Sequence, residues 1–310
     1  MEVMYDNFFE GKAVLITGGA GFIGSHLTQH LARLGAQVRV LDNLSTGYRK
    51  NLDGIAVSLF EGSILDASAL HEAINGCSLV FHEAAFVSVP ESFNDADLCF
   101  ATNIKGTSNV MKAAKRANCD RVMFASSAAC YGSSPELPSS ETDTVSAESP
   151  YAQSKVMGEQ LMKDAQVDAV SLRYFNVFGE RQDPSSQYAA VVSSFARTIQ
   201  DGGTPTIYGN GSQTRDFTPV ENIVHANLLA ASHPNPLRGE VFNVGTGRSA
   251  SLLELVRGMA GNEEVTFEPA RTGDVQDSRA DIAKITGALS YETVVQTSDA
   301  LRALVNRTRC

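Results

Sequence analysis

The chain has 310 residues, of which 43% are hydrophobic and 19% charged, a composition that is typical of a folded protein and excludes a wholly disordered one. Acidic residues outnumber lysine and arginine by 35 to 25, which gives a net charge of −10. This balance argues against nucleic acid as the main partner, because a polyanion is bound by a positive field.

Neither a membrane segment nor a metal site is expected. No apolar run reaches the roughly 20 residues that a membrane-spanning helix needs, and the N-terminal segment lacks the pattern of a signal peptide. We therefore expect a cytoplasmic protein without a membrane partner. The five cysteines contain no CxxC pair, which favours free thiols in a reducing compartment. His26 and His30 lie four residues apart without a third candidate ligand nearby.

Short apolar runs alternate with longer helical patterns through the first half of the chain. The predicted strands are residues 13–17, 37–41, 57–60, 79–82, 121–125 and 169–173. The predicted helices are residues 22–34, 67–75, 94–117 and 151–164, followed in the second half by 220–232 and 252–259. This alternation predicts an α/β fold with a doubly wound parallel sheet, the Rossmann architecture.

The composition changes after about residue 176, where proline and glycine become frequent. We predict a first, nucleotide-binding domain from residues 1–175 with about 218–242, and a smaller α/β lobe from residues 176–217 with 243–310. No long linker separates the two, so a ligand is expected in the cleft where they meet.

Three glycines follow the first predicted strand at positions 18, 21 and 24. Gly18 permits a tight turn, Gly21 lets a pyrophosphate approach the backbone, and Gly24 lets the following helix pack close to the strand. Asp42 ends the second strand 18 residues after Gly24, where a carboxylate holds the ribose hydroxyls but repels a 2′-phosphate. The pattern therefore predicts NAD rather than NADP as the cofactor.

A second constellation lies at the carboxyl edge of the predicted sheet. Ser127 follows the fifth strand, and Tyr151 and Lys155 lie four residues apart on one helix face. Lowering a phenol pKa from about 10 to about 7 requires roughly 4 kcal/mol, which a neighbouring ammonium and an oxidised nicotinamide can supply. Tyr151 is thus a candidate general base whose pKa Lys155 lowers, while Ser127 hydrogen-bonds the substrate hydroxyl. The alternative is a chance match, with the tyrosine packed and the lysine solvated.

The chain carries a linked set of motifs: TGGAGFIGSHL at 17–27, LDNLSTG at 41–47, HEAA at 82–85, TNIKGT at 102–107, SSAACYG at 126–132, SPYAQSK at 149–155, RYFNVFGERQDP at 173–184, YGNGSQTRDF at 208–217 and RTGD at 271–274. On these motifs the sequence resembles the extended short-chain dehydrogenase/reductases, and within them the UDP-sugar 4-epimerases, across essentially the whole chain. The resemblance implies a tightly held NAD, with the second lobe binding the nucleotide sugar.

The resemblance assigns roles to the motif residues. Tyr151 takes the proton of the 4-hydroxyl while C4 gives hydride to NAD, Lys155 binds the nicotinamide ribose, and Ser127 orients the hydroxyl. The 4-keto sugar then turns over in the pocket, and hydride returns to its opposite face. With Tyr151 and Lys155, the NAD contacts that the resemblance implies are Gly18, Gly21, Phe22, Ile23, Gly24, Asp42, Asn43, Ser63, Ile64, Ala84, Ala85 and Asn103.

The resemblance also implies a set of substrate contacts, which are Ser127, Tyr151, Asn176, Tyr208, Arg215, Arg271, Asp274 and Ser278. Arginine forks suit a diphosphate, although Arg215 and Asp216 could instead form a surface ion pair and Tyr208 could simply pack. In relatives a bulky residue at the position of Ser278 excludes an N-acetyl group. The serine therefore predicts activity on UDP-N-acetylglucosamine and UDP-N-acetylgalactosamine as well as on UDP-glucose and UDP-galactose.

Two positions depart from the family pattern: Ser63 replaces an aspartate that contacts adenine, and Val87 replaces a lysine of the sugar pocket. A UDP-uronate 4-epimerase, another nucleotide-sugar-modifying short-chain dehydrogenase and a non-catalytic NAD-binding sensor stay open as alternatives. A sugar 4,6-dehydratase is disfavoured because residues 128–130 contain no carboxylate.

By resemblance the helices at 94–117 and 151–164 form a homodimer interface, although their apolar faces could also pack on the sheet.

Overall fold

The computed structural model describes residue 5 and residues 7–133, 136–183, 191–261, 264–270 and 276–306. In chain order its strands are β1 (Ala13–Thr17), β2 (Gln37–Asp42), β3 (Val57–Glu61), β4 (Leu79–His82), β5 (Arg121–Ser127), β6 (Asp168–Tyr174), β7 (Val177–Phe178), β8 (Thr206–Tyr208), β9 (Thr214–Arg215), β10 (Thr218–Pro219), β11 (Glu240–Val244), β12 (Ala250–Ser251) and β13 (Thr266–Glu268). Its α-helices are α1 (Phe22–Arg33), α2 (Ala67–Ile74), α3 (Val89–Asn94), α4 (Ala96–Phe100), α5 (Thr107–Arg116), α6 (Pro150–Lys163), α7 (Val191–Gln200), α8 (Val220–Ser232), α9 (Leu252–Ala260), α10 (Ala283–Leu289) and α11 (Thr297–Asn306). Short 3-10 turns lie at Arg49–Leu52 and Ala128–Tyr131, and a π-helical turn lies at Ala101–Gly106.

Seven of the described strands form one parallel sheet in the order β11-β6-β5-β4-β1-β2-β3. The predicted doubly wound α/β fold is confirmed, and the six predicted strands match the observed ones to within two residues at either end. The central strands β1 and β4 are buried apolar runs, as expected for parallel strands that helices cover on both faces. The strand order reverses between β1 and β4, which opens a crevice beyond their carboxyl ends.

Helices cover both faces of the sheet. On one face α1 and α8 pack in a core that includes Leu31 and Ile223. On the other face α2, α5 and α6 enclose a second core that includes Val110 and Met162. A third core lies in the second lobe, where α7, α9 and α11 pack together around Phe195. The crevice therefore has a rigid, two-sided sheet behind it and a separately packed lobe in front.

The boundary between the two lobes needs adjustment. Strand β11 joins the main sheet and ends two residues beyond the predicted limit of 242. Helix α10 packs on β11 and joins the first core through Ile285 and Leu289, although the prediction assigns residues 243–310 to the second lobe. These apolar side chains cover the edge of the sheet. We keep the two-lobe division as a proposal, with α10 moved to the first domain.

The predicted helix over 94–117 corresponds to one continuous helical segment from residue 96 to residue 116, in which α4, the π-helical turn and α5 follow one another directly. The separate short helix α3 precedes this segment and lies outside the predicted range, apart from its last residue. Ser88 caps α3 by accepting a hydrogen bond from the Glu91 amide, and Asp95 caps α4 by accepting from the Leu98 amide. Each cap starts a new helix, and apolar periodicity alone does not reveal such a break. The Ser-x-x-Glu spacing from 88 to 91 is the sequence signal for the first start.

Within the described ranges, no helix is long and apolar enough to cross a membrane. The same parts of the chain hold no cluster of three side chains able to bind a metal ion. His26 Nε2 hydrogen-bonds the Glu180 carbonyl, and His30 Nδ1 hydrogen-bonds the His26 carbonyl. The described cysteines are free and buried, and burial raises the pKa of the Cys77 thiol to about 11.

Candidate active site

The loop that follows β1 is shaped by its glycines. Gly18 has a φ of +73°, and a Cβ added there would lie 2.7 Å from the Ala84 amide nitrogen. A Cβ added at Gly24 would overlap the Gly18 carbonyl oxygen. Both positions therefore need glycine. Gly18 is needed for the turn and for the close approach to the end of β4, and Gly24 is needed for the packing of α1 against the loop.

The start of α1 fits the diphosphate of a dinucleotide. Gly21 is the N-cap of this helix and supplies no side-chain acceptor to its first turn. The amides of Phe22, Ile23 and Gly24 therefore have no intrahelical acceptor. They lie at the positive end of the helix dipole, which favours an anionic group. The loop thus forms a cradle of backbone donors that a side chain at position 21 or 24 would disturb.

Asp42 ends β2 beside this loop and is buried. Its Oδ2 accepts from the Ala20 amide at 2.9 Å, and its Oδ1 accepts from the Leu44 amide at 2.8 Å. The two amides fix the carboxylate, and each oxygen keeps a further lone pair for a ribose hydroxyl. Asn43 Oδ1 accepts from the amide and hydroxyl of Ser45, and a contact between Asn43 and NAD stays a prediction.

Asn103 is buried and holds the loop that follows β4. Its Oδ1 accepts from the Phe86 amide at 2.7 Å. Its Nδ2 donates to the Phe86 carbonyl at 3.0 Å and to Ser154 Oγ at 2.9 Å. Asn103 thereby fixes the backbone of Phe86, directly after Ala84 and Ala85, while its contact with NAD stays a prediction.

Ser63 and Ile64 follow β3 at the other end of the crevice. Ser63 Oγ accepts from the Leu65 amide at 3.1 Å, and the Ile64 carbonyl accepts from Asn109 Nδ2 at 3.2 Å. These bonds fix the turn after β3, while the adenine contacts of Ser63 and Ile64 stay predictions.

Ser127 and Tyr151 meet at the carboxyl edge of the sheet. Ser127 is the last residue of β5. Ser149 caps α6 by accepting from the Ala152 amide, which places Tyr151 in the first turn of that helix. The Ser127 hydroxyl lowers the pKa of the Tyr151 phenol, and Ser127 Oγ accepts from the Ala129 amide at 3.2 Å. The two side chains are therefore neighbours at this edge of the sheet.

Lys155 completes the group from the second turn of α6, and its side chain is buried, with the residue 3% exposed. Its Nζ donates to the Ala125 carbonyl at 2.8 Å. The same Nζ lies 5.6 Å from the centre of the Tyr151 ring and 5.1 Å from that of Phe124. An ammonium so close to the phenol can stabilise its ionised form.

The proton equilibria of this pair depend strongly on burial. Burial raises the pKa of Tyr151 to about 12, although the interaction with Ser127 lowers it. Burial lowers the pKa of Lys155 to about 8, although the charge of Glu83 raises it. Without the cofactor, desolvation of the phenol therefore outweighs the interactions that stabilise its ionised form. The predicted lowering of the Tyr151 pKa, to which an oxidised nicotinamide also contributes, stays a prediction. A further positive charge is needed beside the phenol, and an oxidised nicotinamide carries one.

Asn176 and Ser278 are joined by a hydrogen bond between their side chains. Asn176 follows β6 with a φ of +29°, and its Nδ2 donates to Ser278 Oγ at 3.2 Å. The Ser278 amide donates to the Thr214 carbonyl at 3.0 Å, which ties the segment to β9. Two of the predicted substrate contacts, far apart in the sequence, are thus brought together.

The other predicted substrate contacts lie on or near the short strands of the second lobe. Arg215 ends β9, and its Nη1 donates to the Thr214 carbonyl at 2.8 Å. Tyr208 ends β8 and is partly exposed. Arg271 and Asp274 lie outside the described residues. The substrate roles of all four stay predictions.

Comparison with known proteins gives the family. The profile of the NAD dependent epimerase/dehydratase family matches residues 14–245. The chain belongs to this family. NAD is accordingly its cofactor, in agreement with the glycine loop and Asp42.

The chain is similar to several UDP-sugar 4-epimerases, which confirms the resemblance drawn from the motifs. It is 34% identical to the UDP-glucose 4-epimerase of Mycolicibacterium smegmatis over 94% of the chain and 96% of that protein. Its structure matches that of the UDP-N-acetylglucosamine 4-epimerase from Methanobrevibacter ruminantium M1 in complex with UDP-N-acetylmuramic acid, with a TM-score of 0.89, 35% identity and coverage of 96% of this chain and 97% of that one. It also matches the Thermus thermophilus UDP-glucose 4-epimerase in complex with NAD, with a TM-score of 0.84, 33% identity and coverage of 95% and 98%.

The role of Asp216 could not be predicted from the sequence. Asp216 is fully buried, so the alternative of a surface ion pair is wrong for this residue. Its carboxylate accepts from the amides of Thr246, Gly247 and Ala280. Asp216 thereby joins the loop after β11 to the segment that carries Ser278. No spacing in one chain shows that these amides converge.

Sequence reasoning also assigned no role to Glu83, although the HEAA motif was singled out. The Tyr174 hydroxyl donates to Glu83 Oε1 at 2.8 Å. Burial raises the pKa of Glu83 to about 7, although the Tyr174 hydrogen bond and the charge of Lys155 lower it. Glu83 follows His82, which pairs with Phe124 of β5, so this carboxyl group lies at the same sheet edge as Lys155, whose Nζ binds the Ala125 carbonyl. Its signal in the sequence is a lone acidic residue at the end of an apolar strand.

Proposed function

We propose that this chain catalyses the NAD-dependent 4-epimerisation of a UDP-hexose through a 4-keto intermediate. The observation that carries the proposal is the meeting of Ser127, Tyr151 and Lys155 at the carboxyl edge of the sheet that also bears the glycine loop. The relatives support the substrate class, because those described above are UDP-sugar 4-epimerases.

In this proposal Tyr151 serves in turn as base and acid. Its phenolate takes the proton of the 4-hydroxyl, and after the sugar has turned the same phenol gives a proton to the 4-keto oxygen. Ser127 donates a hydrogen bond to that oxygen, and Lys155 keeps a positive charge beside the phenolate. Bound NAD supplies the acceptor and then the donor of hydride at C4. The reaction therefore involves no net oxidation.

A sugar that turns over needs a nucleotide anchor that stays in place. We assign this anchor to the second lobe, with Asn176, Arg215, Arg271 and Asp274 as its residues and Tyr208 at its edge. A guanidinium group binds a diphosphate through parallel N–H donors, which suits the two arginines. Tyr151 and Ser127 would then contact only the hexose, whose position changes during the reaction.

We further propose that the acetylated pair, UDP-N-acetylglucosamine and UDP-N-acetylgalactosamine, is converted as well as the plain pair. Ser278 supports this proposal, because a small side chain beside Asn176 leaves room that an aromatic ring would fill. The similarity to the UDP-N-acetylglucosamine 4-epimerase of Methanobrevibacter ruminantium also supports activity on the acetylated pair.

A reaction on a UDP-uronate is the second candidate. Over 79% of its length the chain is 34% identical to the UDP-N-acetyl-α-D-glucosaminuronate decarboxylase of Bacillus cytotoxicus.

The test is to incubate the protein separately with each UDP-hexose and each UDP-uronate, without added cofactor, and to identify the products by NMR. Conversion of the hexoses into their 4-epimers supports the proposed function. Conversion confined to uronates, or no conversion even with added NAD, contradicts it.

We also propose that the protein is a homodimer. Phe93, Leu98 and Met157 are 63%, 48% and 48% exposed, and they lie on the contacting helices α3, α4 and α6. Large apolar side chains grouped on one surface are typical of an interaction site. Sedimentation at micromolar concentration should show a dimer that Leu98→Glu with Met157→Glu converts into a monomer, and a monomer in the parent protein would contradict the proposal.

A further inference from the structure

Glu83 ends a chain of hydrogen bonds that crosses the sheet at its carboxyl edge. Asn227 on α8 donates from Nδ2 to the Tyr174 hydroxyl at 2.8 Å. Tyr174 in turn donates to Glu83 Oε1 at 2.8 Å. Because the amide group of Asn227 uses the tyrosine oxygen as an acceptor, the single tyrosine proton is left for Glu83. The chain of donors therefore favours the ionised form of this carboxyl group.

The buried ammonium group of Lys155 needs a negative charge nearby in order to stay protonated. Its buried Nζ has a carbonyl acceptor in Ala125 and the ring faces of Phe124 and Tyr151 as neighbours, and none of these groups carries a full negative charge while the phenol is protonated. Desolvation therefore favours the neutral amine. His82 pairs with Phe124 in the register of β4 and β5, so Glu83 lies at the strand end beside Ala125, whose carbonyl accepts from Lys155 Nζ. The negative charge of Glu83 raises the pKa of Lys155 and so opposes the desolvation.

We propose that Glu83 is a positioning residue of the active site, whose carboxylate keeps Lys155 protonated and so sets the pH range in which Tyr151 acts as the base. This inference rests on the proposed function, since it concerns the same three side chains. It adds a fourth group, held by Tyr174 and Asn227, that does not itself contact the substrate.

The other ionisable groups around this cluster are buried or paired. Among the neighbours of Lys155, burial raises the pKa of the thiols of Cys99 on α4 and of Cys130, which therefore stay protonated. Glu159 is held by two hydrogen bonds from Arg173, at 2.7 and 2.8 Å. In the strand before Glu83, burial lowers the pKa of His82 to about 3, and this ring stays neutral.

The remaining neighbours of Glu83 carry no competing charge. Burial raises the pKa of Tyr174 well above its usual value. Asn227 on α8 and Gly18 in the loop after β1 have no ionisable side chain. Glu83 is thus the acidic group in this cluster whose charge changes near neutral pH.

The test is the pH profile of kcat/KM for Glu83→Gln, which keeps an acceptor for Tyr174 but has no charge. Removing the anion makes Tyr151 easier to ionise and Lys155 easier to deprotonate. Both limbs of the bell-shaped profile should therefore move to lower pH, the alkaline limb by about one pH unit and the acid limb by less, because Glu83 itself becomes protonated on the acid side. Above the alkaline midpoint the variant should be about tenfold slower than the parent at the same pH. A lower maximum of kcat/KM with both midpoints of the pH profile unchanged would mean that Glu83 has only a structural role, and it would overturn the inference.

A readout without turnover uses the near-ultraviolet absorbance of the phenolate. The pH titration of Tyr151 is obtained as the difference between the NAD-loaded parent and its Tyr151→Phe variant, and again between the same two proteins carrying Glu83→Gln. The midpoint should fall in the Glu83→Gln background, and an equal midpoint in both backgrounds would overturn the inference. If no UDP-hexose is converted by the parent, the proposed function fails, whereas this titration still decides the role of Glu83.

Three further variants serve as controls. Glu83→Asp keeps the charge and should restore the parent profile. Glu91→Gln removes an exposed carboxylate from α3 and should leave both midpoints unchanged. Tyr174→Phe removes the donor that stabilises the carboxylate and should move the midpoints in the same direction as Glu83→Gln but by less, which also provides the test if Glu83→Gln does not fold. A shift with Glu91→Gln as large as that with Glu83→Gln, or none with Tyr174→Phe, would contradict the proposal.

Discussion

Asn176 donates a hydrogen bond from its Nδ2 to Ser278 Oγ at 3.2 Å, although the two residues are 102 positions apart. The Ser278 backbone is also fixed, because its amide donates to the Thr214 carbonyl at 3.0 Å. A shift of the backbone alone therefore cannot make room for a larger side chain at position 278. It must occupy the crevice or displace Asn176.

Ser278→Tyr should separate the two classes of substrate. We expect turnover of UDP-N-acetylglucosamine to fall roughly 10- to 100-fold, because the tyrosine ring fills the room that the acetamido group needs at a cost of about 1–3 kcal/mol. Turnover of UDP-glucose should change only a few-fold. Parallel assays of both sugars check this, with Ser58→Tyr on the exposed side of β3 as the control. Equal losses for the two sugars would show that position 278 does not select the substrate.

Tyr151→Phe should remove turnover without removing the cofactor. Loss of the proton-transferring hydroxyl is expected to slow epimerisation roughly 100- to 10,000-fold. The phenyl ring keeps its packing, so the amount of NAD released on denaturing the purified protein should equal that of the parent. Tyr48→Phe removes the hydroxyl that donates to Asp183 Oδ2 and should keep full activity. An active Tyr151→Phe variant would dismiss this residue as the base.

Gly24→Ala and Gly287→Ala should have opposite effects. A Cβ at Gly24 overlaps the Gly18 carbonyl oxygen, so the loop must shift at a cost of about 1–3 kcal/mol and lose its NAD. A Cβ at Gly287 on α10 meets nothing within 4 Å and should stabilise the protein by up to about 1 kcal/mol. Urea unfolding and the NAD content of each purified variant check the pair. Full NAD content in Gly24→Ala would contradict the assignment of this loop.

His82 should make the protein less stable in acid. Thr17 Oγ1 and Thr107 Oγ1 lie 2.7 and 2.9 Å from its ring nitrogens, and burial lowers its pKa from 6.5 to about 3. Between these two values the unfolded chain binds more protons than the folded one, so the contribution of His82 is complete above pH 6.5 and is lost as the pH falls below it. This loss amounts to about 2 kcal/mol between pH 7.5 and pH 5.

Urea unfolding of the parent and of His82→Gln at both pH values measures this contribution. The variant should be less stable at pH 7.5, and its stability should fall less on acidification. An identical fall in the two proteins would show that His82 does not titrate on unfolding.

Much of the fold could be predicted because local physics determines it. The strand β1 is an apolar run that ends in glycines, and the need for glycine at positions 18 and 24 follows from the turn and the close packing there. The separate short helix α3 could not be predicted from periodicity, because its start depends on the side chain of Ser88 binding the Glu91 amide. Placement of α10 on the first core depends likewise on contacts with β11, far from it in sequence.

The residues of the candidate site could be predicted from the sequence, but their protonation states could not. The spacing of Ser127, Tyr151 and Lys155 was enough to expect them at one sheet edge. The pKa values of Tyr151 and Lys155 depend on how much water the folded chain excludes, which no spacing reports. Glu83 and Tyr174 are 91 positions apart, so their hydrogen bond could be found only in the structure.

The most direct test of the account follows the hydrogen at C4. UDP-glucose carrying deuterium at this carbon should be incubated in ordinary water with the purified protein and no added cofactor, and the product examined by NMR and mass spectrometry. The account predicts UDP-galactose with the deuterium still at C4, because the same hydride leaves and returns while Tyr151 handles only the hydroxyl proton. A product in which solvent hydrogen has replaced the deuterium would contradict it.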